Sequence, residues 1–217
     1  HAAARRRGAA DLPKRLKTIG KTLEGFSEAA WLNRPVEALG AAHRLRQQLA
    51  GAHDELARWA PPFALLADRI AQEVAEVADP EPATLDAEQL RAQLALVEYA
   101  LNKGLVLQAV TMAREWFVSW YIWAFMPEVR PHWQRMAERE QAERSLGELG
   151  AVARQGSRLA AHHPDWDIGD LWNQLAQLRN DLAHCGMRQG ALSPQAAQSK
   201  AQELVRRLQA LLDARSS

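Results

Sequence analysis

One cysteine, Cys185, is all that 217 residues contain. An internal disulfide and a cysteine-based zinc site are therefore excluded, and a reducing, cytoplasmic setting is expected. Neither sign of charge dominates. Lys and Arg number 27 against 26 Asp and Glu, a formal net charge of +1, so attachment to nucleic acid by bulk charge is excluded and any such contact needs a local patch. There is no secretory signal and no uninterrupted apolar run of spanning length, and no membrane partner is expected. Methionine is absent before Met112, and the chain opens His1-Ala-Ala-Ala-Arg-Arg-Arg. It reads as a piece of a longer protein, with residues 1–10 a basic Ala/Arg-rich linker or remnant. Val, Ile and Thr are sparse, no Asn-Gly or Asp-Gly dipeptide marks a hairpin, and no Gly-rich phosphate loop or parallel-sheet pattern appears. There is no internal repeat.

What is present is helix chemistry. Ala, Leu, Gln, Glu and Arg fill the chain. Leu16, Ile19, Leu23 and Phe26 recur at three and four residues, so one helix is predicted from about Leu12 to Trp31. Asn33 reads as an N-cap with Pro35 in the first turn of a long helix to about Trp59, its Val36, Leu39, Leu45 and Leu49 facing inward. Pro61-Pro62 breaks that helix, and another covers about Phe63 to Val77. A turn-rich connector follows at 78–84. Asp86 to Gln89 has capping-box character, and Gly104 reads as a C-cap. Leu105 to Phe125 is the most apolar stretch. Arg114 and Glu115 in its middle exclude a bilayer, and its length favours a helix over a strand, so a buried central helix is predicted. Its polar positions Gln108, Thr111, Glu115 and Ser119 form one narrow stripe. A charged helix from about Trp133 to Leu149 is expected to close at Gly150, with a shorter one to His162. The next helix runs from about Ile168 to Cys185. Ser193 and Pro194 begin the last, at N-cap and N1. The fold class expected is all-α.

The chemistry-bearing segment is Gln174-Leu-Ala-Gln-Leu-Arg-Asn-Asp-Leu-Ala-His-Cys-Gly-Met187. Leu171, Leu175, Leu178 and Leu182 form its buried stripe. Asn180 and His184 are four apart and share a face. Arg179 and His184 are five apart and diverge by roughly 140° on an ideal helix. Both can border one phosphate-sized hollow more easily if a second copy of the helix faces the first. Imidazole exchanges protons near neutrality, guanidinium keeps its charge and forks onto a phosphate, and the amide can orient either. RNA supplies its own nucleophile in the 2′-hydroxyl, so this set requires no metal.

Arg179-Asn-Asp-Leu-Ala-His184 resembles the Arg-x(4–6)-His motif of HEPN-domain ribonucleases, and most of all the C-terminal HEPN domain of CRISPR type III accessory CARF–HEPN ribonucleases. Gln108-Ala-Val-Thr-Met-Ala-Arg-Glu-Trp116, preceded by Lys103-Gly104, resembles a buried helix of that group, and Ser27–Pro35 and Pro62–Val77 match more loosely. The resemblance implies a HEPN-like helical bundle over 11–217 as a single domain, working as a homodimer whose two motifs meet in a composite site. It implies metal-independent cleavage of single-stranded RNA, with no DNA partner, leaving a 2′,3′-cyclic phosphate. Arg179 would stabilise the phosphate, His184 act as general acid or base, and Asn180 orient them. A cyclic oligoadenylate would activate the parent protein through a sensor domain that this chain lacks. No other cofactor is implied. The alternatives are a non-catalytic dimerisation or binding module, and the toxin of a toxin–antitoxin pair.

Plainer roles stand beside several of these residues. His184 can be a helix-terminal histidine and Asn180 a helix-orienting amide. Arg114 and Glu115 read first as a structural ion pair, with Glu115 holding Arg179 or His184 as the functional alternative. Arg154, Arg158 and Arg188 are either an RNA-facing strip or a solvated face. Trp116, Trp120, Trp123 and Trp133 are expected in the core or an interface rather than stacking on bases. His162, His163, Asp165, Asp167 and Cys185 match no metal-ligand spacing. Cys185 itself is expected to be buried and inert.

Overall fold

The computed structural model describes residues 13–79, 85–155, 164–187 and 189–216. Every regular element among them is helical. The span read as one domain comprises two compact units, residues 1–82 and 83–217. Proline stands at positions 80 and 82, where the sequence passes from one to the other.

The first unit holds α1 (Lys14–Trp31), α2 (Pro35–Ala50), α3 (His53–Trp59) and α4 (Pro61–Ala75). Ile19 and Phe26 of α1 and Leu39, Leu45 and Leu49 of α2 are buried, as their spacing predicts, whereas Leu16, Leu23 and Val36 are half-buried. Asn33 is not an N-cap. Its φ is 56°, and the Asn33 and Arg34 amides donate to the carbonyls of Ala30 and Ala29 at 3.4 and 2.8 Å. That is a Schellman closure of α1, with asparagine in the left-handed position glycine usually takes. The long second helix is also divided: α2 stops at Ala50, and Gly51-Ala52 turn the chain into α3. The turn has a payoff at the other end of the unit. The Glu55 carboxylate accepts the Arg15 and Leu16 amides at 2.9 and 3.0 Å, so α3 caps the orphan donors of α1. Pro61 and Pro62 open α4, where a missing N–H costs nothing.

The second unit holds α5 (Ala87–Asn102), α6 (Val106–Phe125), a 3₁₀ segment (Pro127–His132), α7 (Met136–Gln155), α8 (Pro164–Ala183) and α9 (Pro194–Ser216). Asp86 caps α5 by accepting the Gln89 amide at 2.8 Å. Gly104, at φ 75°, closes α5 as the Gly104 and Leu105 amides return to Leu101 and Ala100. The apolar stretch is a helix, α6, and it touches α5, α7, α8 and α9. Its Trp116, Phe117 and Ile122 are fully buried, and the Trp116 indole N–H donates to the Leu90 carbonyl at 2.8 Å. Trp120 stacks on Phe117 with ring centroids 5.4 Å apart. Ser193 caps α9 through the Ala196 amide at 3.2 Å.

Gly150 does not end α7; the helix continues to Gln155. The glycine serves a crossing instead. A Cβ on Gly150 would lie 2.7 Å from the Asn173 Oδ1, and one on Gly169 would lie 2.5 Å from the Leu149 carbonyl carbon. The Asn173 amide donates to the Gly150 carbonyl at 2.8 Å across the same contact. Two glycines facing each other let α7 and α8 approach backbone to backbone. The following helix begins at Pro164, four residues ahead of its predicted start.

Candidate functional site at the end of helix α8

Helix α8 buries Leu171, Leu175 and Leu178, with Leu182 half-buried, and this orients its last turns. Arg179 is half-buried; Asn180 and His184 are exposed. The His184 amide still donates to the Asn180 carbonyl at 3.0 Å, so the two residues share one helical turn. Beyond it, Cys185 and Gly186 have φ of 55° and 68°, and the Met187 amide closes on the His184 carbonyl at 3.0 Å. Positive φ at both central positions is the signature of a type I′ turn. Cys185 therefore sits exposed at the tip of a turn rather than buried. The helix has already ended at Ala183, so no apolar face remains for the thiol to share. Among the described residues, the Arg179, Asn180 and His184 side chains have no hydrogen-bond or ion-pair partner.

Glu115 is committed elsewhere. Its carboxylate pairs with Arg114 at 2.7 Å and with Arg139 of α7 at 2.8 Å, and Glu143 takes the other face of Arg114 at 2.9 Å. Arg139 also donates to the Ser119 hydroxyl and the Glu115 carbonyl. Burial draws the Arg114 pKa down, and the hydrogen bonds and charges of Glu143 and Glu115 more than offset this, so it ends raised. The Arg114 guanidinium lies 4.6 Å from the ring centre of Trp172 on α8. Trp172 and Arg179 are seven residues apart, nearly in line along the helix. Glu115 and Ser119 of the polar stripe, with the neighbouring Arg114, thus form a structural network that grips α7 and, through Trp172, helix α8.

Arg154 donates to the Asn173 Oδ1 and so joins the α7–α8 crossing. Arg158, Arg188, His162 and His163 lie outside the described residues. Trp116, Trp120 and Trp133 are buried and Trp123 is half-buried, which removes the first three from base stacking. Among the described residues no three His, Cys, Asp or Glu side chains gather as a metal site, and no helix is long and apolar enough to cross a membrane.

A feature that the sequence reading passed over lies beside this end. An open groove of about 700 Å³ runs between α8 and α9, with Gln174, Gln177, Asp181, Leu192 and Lys200 on its walls. Gln174 bridges Asp170 at 2.5 Å and Lys200, and Asp170 accepts from Arg207 at 3.1 Å. Asp181 receives the Leu192 amide at 3.3 Å, which folds the α8–α9 connection back against the helix. The signal was available: Asp170, Gln174, Gln177 and Asp181 follow a spacing of four, three and four, a second polar stripe beside the leucines. No family model, no curated protein and no solved structure matches this chain.

Proposed function

We propose that the chain is a HEPN-type endoribonuclease that cleaves single-stranded RNA without a metal ion. The observation that carries the reading is the end of α8, which offers a permanent cation, an amide and an exposed imidazole, none of them engaged by another described side chain. In the reaction, the imidazole of His184 takes the 2′-hydroxyl proton. The 2′-oxygen bonds to phosphorus, and the bond from phosphorus to the 5′-oxygen breaks. The leaving oxygen receives a proton from a His184 imidazolium, and a 2′,3′-cyclic phosphate remains. Arg179 holds the charge on the phosphorane, and the Asn180 amide, unengaged in the free protein, turns to orient the imidazole one turn away once RNA is bound. Helix geometry sets Arg179 and His184 on different sides of one chain, so the complete site takes Arg179 and His184 from facing copies in a homodimer. As the effector part of a type III system, the parent protein would be switched on by cyclic oligoadenylate bound outside this chain.

The test is cleavage of end-labelled single-stranded RNA by wild type, His184→Ala and Arg179→Ala, with and without EDTA. Loss of a general acid–base group lowers the rate by about 10²–10⁴. Both variants are expected to fall by at least about a hundredfold while remaining folded and dimeric, and EDTA is expected to change nothing. Full activity in His184→Ala refutes the assignment. The divergence of Arg179 and His184 within one chain also favours a second reading, a non-catalytic helical binding module. A protein that stays monomeric, or a dimer holding its two His184 side chains far apart, decides for that one.

A further inference from the structure

We propose that the α8–α9 groove reads a guanine base of the RNA beside the scissile linkage. The inference rests on the ribonuclease reading and assigns a base preference to it. Three observations lead there. The groove holds about 700 Å³, ample for a base and its ribose. Its walls are divided by chemistry. Leu192, 45% exposed, gives an apolar surface for a base face, while Gln177, Asp181 and Lys200 present polar groups. Most of the polar inventory is already spent. Asp170 is held by Gln174 and Arg207, and Gln174 by Asp170 and Lys200. What remains open is the Gln177 amide, the Asp181 Oδ1, the second lone pair of the Asp181 Oδ2 beside its bond from the Leu192 amide, and the charge of Lys200.

A carboxylate accepts only, so it selects the base edge with adjacent donors. Guanine presents N1–H and N2–H₂ side by side. Adenine and cytosine each offer one amino group next to an acceptor nitrogen, and uracil one N–H between two carbonyls. Each of those sets an acceptor against Asp181, and an unmatched pair of acceptors is penalised. Lys200 suits the O6 of guanine or a flanking phosphate. Single-stranded RNA is the form whose base edges are free to be read this way. Position agrees: Asp181 precedes His184 by three residues, about 4.5 Å along the helix axis, and Gln177 lies seven residues before His184, nearly in line with it.

The 217-residue chain carrying His184→Ala is titrated calorimetrically with GMP, AMP, CMP and UMP, so that binding is read apart from cleavage. GMP is expected to bind at least tenfold tighter than the other three. Asp181→Asn keeps an acceptor for the Leu192 amide but replaces one acceptor by a donor, and is expected to shift the preference from GMP toward AMP. Gln177→Ala is expected to weaken GMP severalfold. No binding of GMP, equal binding of all four nucleotides, or an unchanged preference in Asp181→Asn overturns the proposal. These outcomes leave the ribonuclease reading intact if wild type cleaves RNA. Conversely, GMP selectivity in a chain that cleaves nothing sinks that reading and keeps the groove.

Discussion

Replacing Gly169 by alanine sets two effects of opposite sign against each other. Within a helix, Gly→Ala is favourable by about 0.5–1 kcal/mol because the unfolded backbone loses freedom. At Gly169 the added Cβ would come 2.5 Å from the carbonyl carbon of Leu149 and closer still to its oxygen. Both are backbone atoms of α7, so no rotamer change relieves the overlap. The helices must separate by roughly an ångström, and a gap of that size forfeits about a quarter to a half of each dispersion contact along the crossing. Overpacking of this kind costs about 1–3 kcal/mol. The clash wins, and a net loss of about 1–2 kcal/mol is expected. Gly147, on the same α7, has nothing within 4 Å of an added Cβ. Gly147→Ala should therefore show the helix gain alone, about 0.5–1 kcal/mol. Urea unfolding followed by tryptophan fluorescence suits the comparison, since six of the eight tryptophans lie in residues 83–217. The midpoint should fall for Gly169→Ala and rise for Gly147→Ala with the slope unchanged. If Gly169→Ala proves as stable as Gly147→Ala, the backbone-to-backbone crossing that orients α8 is wrong.

Gly104→Ala adds a side chain where nothing crowds it but where φ is 75°, so strain alone should lower stability by about 1 kcal/mol, read as an earlier thermal transition. Asp86→Ala removes the acceptor for the Gln89 amide and should cost about 1 kcal/mol, measurable by the same melt. Glu115→Gln leaves Arg114 with Glu143 but strips Arg139 of its carboxylate. Because Glu115 is 44% exposed, the loss is expected to be modest, about 0.5–1 kcal/mol. A double-mutant cycle with Arg139→Met that gives no coupling would count against the network.

Local chemistry was readable wherever it is settled within a few residues. The caps at Asp86, Gly104 and Ser193 follow from side chains or glycine acting on amides close by in sequence. The inward leucines of α8 follow from period alone. The Arg179–His184 pattern was visible as a pattern, with Arg179 half-buried and His184 exposed just beyond the helix end. Errors arose where a residue's meaning depends on what packs against it. Asn33 resembles an N-cap in sequence and serves as the left-handed closure of the preceding helix. Cys185 looked like one more helical apolar residue and sits on a turn instead.

The sequence by itself determined that the chain is helical, where several helices begin and stop, and which faces are greasy. Each of these is decided by backbone hydrogen bonds and side-chain periodicity acting over one or two turns. The tertiary structure decided that Gly51 breaks a helix and Gly150 does not, that Glu115 pairs with arginines of its own helix and of α7, and that a polar stripe on α8 becomes the wall of a groove. A glycine is a stop only when nothing needs its missing side chain, and a carboxylate takes its role from the cation the fold brings within about 3 Å. Those neighbours come from distant parts of the chain, and no local window contains them.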